Sequence, residues 1–182
     1  RKIRGYITKT KETANSRMGA YLCIAGDGQM WENPNYFELV MKDEETGKCV
    51  GLCMMLNINA KDGKKYLWFG PNPFEGFLGQ VSSEQCYKYI YDTVTKFASE
   101  NGYDGVVVPP VDGQILGACT NRGGDFPDLI KASRLQNEKG ELKIVEFGEK
   151  HTLGGSYGYS NGALIWAKPN SPTSSLPPTT NQ

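Results

Sequence analysis

The alternation of apolar and polar positions predicts a run of strands in the first half of the chain. Residues 37–42 and 49–58 are strand-like, and the polar, Gly-containing connector between them is typical of a hairpin turn. A second turn at Lys61-Asp62-Gly63 leads into a third strand at 66–69. We therefore expect an antiparallel meander of three strands.

One well-marked helix follows the meander. Ser82 opens a Ser-Ser-Glu-Gln capping box in which Gln85 can bond back to the N-cap residue, and Asn101-Gly102 supplies a left-handed stop. The apolar residues at helical spacing between these signals are Cys86, Ile90, Val94 and Phe97. The pattern predicts a helix from Ser83 to the Asn101-Gly102 stop.

Shorter segments complete the element order. The apolar stretch 105–109 predicts a strand buried on both faces, and two more strands are expected at 142–147 and 163–167. Weaker patterns indicate helices at 11–24 and 126–135. A right-handed crossover through the well-marked helix predicts that 105–109 pairs parallel to 66–69, the two strands then diverging to leave a cleft.

Composition limits the chain to one folded unit. We expect a single domain at residues 1–168, followed by a disordered Pro/Ser/Thr tail at 169–182. Twenty basic and twenty acidic residues cancel, which gives no reason to expect a nucleic acid or a membrane as partner. The polar start without Met suggests a piece of a longer polypeptide. Five cysteines without a C-x-x-C pair, and one histidine, favour reduced thiols in a cytoplasmic protein over a zinc site.

The element order resembles the GCN5-related N-acetyltransferase fold over residues 36–168. Segment 23–43 (CIAGDGQMWENPNYFELVMKD) and segment 101–122, with NGYDGVVVP followed by TNR, are similar to acetyltransferase-like domains found in large bacterial proteins. The resemblance implies an α/β (α+β) fold: a mixed, mainly antiparallel sheet with helices on both faces. It also implies an N-acyltransferase that moves an acetyl group from acetyl-CoA to an amine of a small-molecule or protein acceptor.

In that family the acyl-CoA pyrophosphate lies against backbone amides in the loop before the helix, where free N–H groups and the helix dipole favour an anion. The matching segment here is 70–83, although no Lys or Arg lies between Lys65 and Lys88. It could equally be an ordinary connection whose apolar side chains cover the core. The residues that the resemblance assigns to acetyl-CoA binding are Phe69, Gly70, Gly76, Gly79, Gln80, Val81, Ser82, Ser83, Asn121 and Arg122.

Acyl transfer needs a base for the amine, a donor that polarises the thioester carbonyl and an acid for the thiolate. The resemblance places the polarising amide around Phe69 or Gly70. The candidate catalytic groups are Glu75, Asp112 and His151 as bases and Tyr157, or alternatively Tyr159, as the acid. Each could instead be an ordinary surface group.

Two other functions are compatible with this sequence. The chain could be an inactive acetyltransferase-like module that binds a protein partner within a larger polypeptide. It could also be a papain-like cysteine protease, because Cys86, His151 and Asn161 follow the order used in that family. Cys86 fits the apolar helix face, however, and lacks the usual flanking residues of a protease nucleophile.

Overall fold

The computed structural model describes residues 2–9, 32–47, 49–73, 83–109, 135, 142–152 and 158–169, which form one curved sheet and a helix. The elements in chain order are β1 (Ile3–Thr8), β2 (Tyr36–Asp43), β3 (Cys49–Asn59), β4 (Lys65–Pro73), α1 (Ser83–Glu100), β5 (Gly105–Val108), β6 (Ile144–Thr152) and β7 (Gly158–Ala167). The segments expected to be helical at 11–24 and 126–135 lie outside the described residues, apart from Leu135, which is not in a helix, and so does the tail beyond Pro169.

The seven strands are ordered β1-β2-β3-β4-β5-β7-β6. Strands β1 to β4 pair antiparallel with their neighbours, and so do β5, β7 and β6. The two groups join where β4 and β5 run parallel, from Tyr66 opposite Gly105 to Trp68 opposite Val107. The predicted parallel pairing is therefore confirmed.

Helix α1 begins and ends where the capping signals place it. Gly102 has a φ of 79°, which favours glycine, and the Tyr103 N–H donates to the Ala98 carbonyl at 3.2 Å. Ile90, Val94 and Ala98 form its fully buried stripe. They pack on the sheet face that carries Leu39, Met55 and Phe69, which we call the helix face.

The expected helices on both faces are not found, and this part of the fold prediction was wrong. Among the described residues, α1 is the one helix, and it covers one face. The opposite face carries Tyr36, Leu56 and Trp68, which pack with Phe147 and Tyr159 of β6 and β7. In the described structure, this face is thus covered by side chains of β6 and β7, where helices were expected.

The β6–β7 hairpin reaches this second face because the sheet curls back on itself. Phe147 of β6 forms an isolated bridge with Ala60, and the Lys61 N–H donates to the Glu146 carbonyl at 3.0 Å. Those partners follow β3, which lies four positions from β6 in the strand order. Only a strongly coiled sheet brings such distant strands together. We call this second surface the hairpin face.

Strand β1 was not predicted, and it forms one edge of the sheet beside β2. Ile3 and Ile7 pack on the helix face, with Gly5 between them. A Cβ atom on Gly5 would lie 2.6 Å from the hydroxyl of Tyr89, which hydrogen-bonds to the Gly5 backbone. Glycine at this position therefore lets α1 approach the edge strand.

Asp104 ties together the starts of β4 and β5 and the end of β7. Its N–H donates to the Lys65 carbonyl at 2.7 Å, and its carboxylate accepts the Lys65 N–H at 2.9 Å. Its carbonyl accepts the Lys168 N–H at 2.9 Å. These bonds close the parallel junction at one end, so the strands are free to separate only toward the other end.

Candidate functional site

The parallel ladder between β4 and β5 ends at Trp68, and β4 continues to Pro73 while β5 ends at Val108. Phe69 and Gly70 lie one and two residues beyond the last parallel pair. On the other side of β4 they remain paired with Met55 and Met54 of β3. The two residues predicted to supply a polarising amide therefore lie where β4 leaves β5.

Trp68 is the β4 residue of the last parallel pair, and its side chain lies on the hairpin face. Its side chain is fully buried, and its indole nitrogen Nε1 has no hydrogen-bond partner among the described residues. Its ring packs against Tyr159 with centroids 4.7 Å apart and planes at 43°. A buried donor without a partner costs about 1–3 kcal/mol, so a group that accepted this N–H would be favoured.

His151 is brought to the same face by the β6–β7 hairpin. It lies directly opposite Tyr159 in the ladder, so the two side chains project to the same side. It is 5% exposed, and the edge of its ring meets Phe147 at a centroid distance of 6.2 Å. The hairpin face thus carries two ring pairs, Trp68 with Tyr159 and Phe147 with His151.

The protonation of His151 follows from its hydrogen bonds. Asn33 Oδ1 accepts the N–H of Asn35 at 2.9 Å, which turns Asn33 Nδ2 toward His151 Nδ1 at 3.2 Å. Nδ1 therefore accepts a hydrogen bond, and the proton of the neutral ring lies on Nε2. Burial lowers the pKa of His151, and Glu149, with Oε1 3.8 Å from Nε2, opposes that shift in part.

Lys9 holds the segment that carries Asn33. Its ammonium group donates to the carbonyls of Asn33 at 3.3 Å and Pro34 at 3.0 Å, and also to that of Tyr36. An ammonium has three donors, so all of them are used, and burial lowers the pKa of Lys9. Lys9 lines a groove of about 390 Å³ with Phe37, and its role there is to fix the chain.

The hairpin face also carries a buried carboxyl group on β2. Glu38 of β2 is fully buried and accepts the Tyr36 hydroxyl at 2.6 Å. Burying a carboxyl group among apolar side chains is costly unless hydrogen bonds compensate it. Glu38 was not predicted, because strand alternation alone does not distinguish a buried carboxylate from an exposed one.

Most of the predicted site residues are not described by the structure. Ser83 is the first residue of α1, and Phe69, Gly70 and His151 have been placed above. The remaining predicted residues lie outside the described residues: Glu75, Gly76, Gly79, Gln80, Val81, Ser82, Asp112, Asn121, Arg122 and Tyr157.

The protease arrangement of cysteine, histidine and asparagine is not assembled in the described structure. Asn33, and not Asn161, bonds to His151, while Asn161 lies opposite Glu146 in the β6–β7 ladder. Cys86 belongs to α1, which packs on the helix face, whereas His151 lies on the hairpin face. The structure therefore gives no support to that alternative.

Within the described ranges, no group of three or more His, Cys, Asp and Glu residues could hold a metal ion. No helix in the same part of the chain is long and apolar enough to cross a membrane. Comparison with protein-family models, curated proteins and solved structures found no match for this chain. The resemblance to GCN5-related N-acetyltransferases therefore stays a prediction.

Proposed function

We propose that this chain is an N-acyltransferase that transfers an acetyl group from acetyl-CoA to an amine. The observation that carries the proposal is the short parallel ladder between β4 and β5, which ends just before Phe69 and Gly70. The resemblance requires a junction of this kind, with a free backbone amide near its opening. Acetyl-CoA would supply the activated acyl group.

Three features of the chain support this proposal. The 18-residue helix α1 begins ten residues after β4 ends, and its N-terminal dipole favours a phosphate group. Trp68 offers a buried N–H beside the junction, and no group in the described part of the chain accepts it. His151 would accept the proton of the amine at Nδ1 once the acceptor displaced the Asn33 amide.

We place the protein in the cytoplasm, where acetyl-CoA is supplied. The feature of the sequence that favours a reducing compartment is its five cysteines without a C-x-x-C pair. The acceptor is a small molecule or a protein that presents an amine.

Binding of acetyl-CoA tests the proposal directly. Thermal unfolding should move to higher temperature with acetyl-CoA, because a ligand at a hundred times its Kd stabilises by about 2.7 kcal/mol. Gly79→Val should weaken binding about tenfold, or about 1–2 kcal/mol, since a branched side chain blocks the approach of the pyrophosphate to the backbone. Gly148→Val, at an exposed glycine of β6, is the matched control and should bind as wild type does.

Two results would refute the proposal. One is the absence of a thermal shift with millimolar acetyl-CoA, and the other is equal affinity of wild type and Gly79→Val. Either result would favour the non-catalytic module that binds a protein partner. The segment between β4 and α1 contains no Lys or Arg that could pair with phosphate, and this feature of the sequence favours that second function.

A further inference from the structure

Two cations lie directly opposite each other at the edge of the sheet. Arg4 of β1 pairs with Lys42 of β2 in the antiparallel ladder, two residues from the pair formed by Tyr6 and Val40. Residues paired in this way project to one face with Cβ atoms about 4.5–5.5 Å apart, and like charges there are destabilising. The Lys42 ammonium lies over the Tyr6 ring, 5.6 Å from its centroid.

The two carboxylates beside these cations are Asp43 and Glu44. Asp43 is buried, lies opposite Ile3, and its Oδ1 accepts the N–H groups of Glu45 at 2.8 Å and Thr46 at 3.4 Å. Glu44 is exposed, and its N–H donates to the Lys2 carbonyl at 3.0 Å, so a third cation lies opposite it. The ion pairs found among the described residues involve neither Arg4 nor Lys42.

These side chains surround an open depression. Its volume is about 600 Å³, and its lining residues are Arg4, Tyr6, Lys42, Asp43, Glu44 and Gly47. We propose that this depression binds a small multivalent oxyanion between Arg4 and Lys42. The guanidinium group can bind two oxygens side by side, Lys42 adds a point charge, and Tyr6 adds a hydroxyl donor.

The site is separate from the proposed acetyl-CoA region. It lies on β1 and β2, whereas the parallel junction involves β4 and β5, and β3 lies between. Tyr6 packs with the hairpin-face cluster, which is the side of the sheet opposite α1. The inference therefore does not depend on acyl transfer.

Thermal unfolding at low ionic strength tests the site, with inorganic pyrophosphate and citrate as probes for phosphate and carboxylate ligands. Without a probe, Arg4→Gln and Lys42→Gln should each unfold at a higher temperature than wild type, because each relieves the repulsion. With a probe, the unfolding temperature of wild type should rise, and that of each variant should rise less at the same probe concentration. The control Lys96→Gln, at an exposed position of α1, removes the same charge and should respond as wild type does.

Affinity can be measured from amide chemical shifts of Tyr6 and Lys42 during titration. We expect Arg4→Gln to weaken binding at least fivefold, and added salt to weaken binding to wild type, since exposed charges are screened. Gly79→Val should keep the response, which separates this site from the proposed acetyl-CoA loop. The inference is overturned if neither anion shifts wild type, or if Arg4→Gln binds as tightly as wild type.

Discussion

Replacing Gly162 by alanine measures how closely β7 packs against β5. A Cβ atom at this position would lie 2.8 Å from both Cβ and Cγ2 of Val107 and 3.3 Å from Cζ of Phe147. Non-bonded carbons rest at about 3.5–4.0 Å, so the new methyl group would be about 0.7 Å too close to Val107. Val107 is fully buried and lies between Trp68 and Leu164, so its Cβ can move only with the backbone.

The sign of the stability change follows from two opposing effects. Alanine restricts the unfolded chain, which stabilises by about 0.4–1 kcal/mol where the backbone permits it. Overpacking a core costs about 1–3 kcal/mol. We expect Gly162→Ala to lower the free energy of unfolding by about 1–2 kcal/mol, and the Tm by about 2–8 °C for a chain of this size.

Urea denaturation at constant m-value is the assay, and Gly148→Ala is the matched control. Gly148 is exposed, and its nearest atom to an added Cβ is the Asn59 carbonyl oxygen at 3.6 Å, an ordinary contact. That variant should stay within about 0.5 kcal/mol of wild type. Val107→Ala should cost less free energy of unfolding in the Gly162→Ala background than in wild type, because it removes a methyl group that the new Cβ would contact. Equal stability of Gly162→Ala and Gly148→Ala would refute the close packing of β7 on β5.

Two further predictions concern titration and thiols. Folding lowers the pKa of His151 from its ordinary value of 6.5. As the pH falls below about 6.5, the unfolded chain therefore binds more protons than the folded chain does. Stability should be full above about pH 7.5 and fall as the pH drops, by at most about 1.4 kcal/mol per pH unit, and His151→Gln in a urea series should flatten this slope. Under native conditions, iodoacetamide followed by mass spectrometry should label half-buried Cys49 before fully buried Cys53, and all five cysteines should react after unfolding. An unchanged slope in His151→Gln, or equal labelling of the two thiols, would contradict these expectations.

Local signals were sufficient for the meander and the helix. The turn at 61–63 was predicted from its composition, and in the structure Gly63 has a φ of 82° while Asp62 Oδ1 accepts the Lys64 N–H at 2.9 Å. Strand β1 was missed although Ile3 and Ile7 alternate with polar residues, because Gly5 interrupts the pattern. That glycine is required by a contact with Tyr89, far away in the sequence.

The candidate site could be predicted only in part, because its geometry depends on long-range packing. His151 was singled out as the one histidine of the chain, but its partner Asn33 lies 118 residues away. Glu38 looks like any polar strand residue until the coiled sheet buries it. The expectation of helices on both faces failed for the same reason. No local pattern shows that the β6–β7 hairpin will fold back over the sheet.

The narrow junction between β4 and β5 has a consequence for the order of folding. The β2–β3–β4 meander and the β6–β7 hairpin pair strands that are consecutive in the chain. Strand β5 instead pairs with residues far away in the sequence: Lys65 and Asp104 are 39 apart, and β5 also pairs with the still more distant β7, Gly105 lying opposite Ala167. Closing such a loop costs conformational entropy, and the three residue pairs of the β4–β5 ladder compensate for that cost only after they have formed. We expect the β2–β3–β4 meander and the β6–β7 hairpin to form first, and β5 to join them last, after α1 has crossed from β4 to β5. The region proposed to bind acetyl-CoA would then be the last part of the molecule to take its final form.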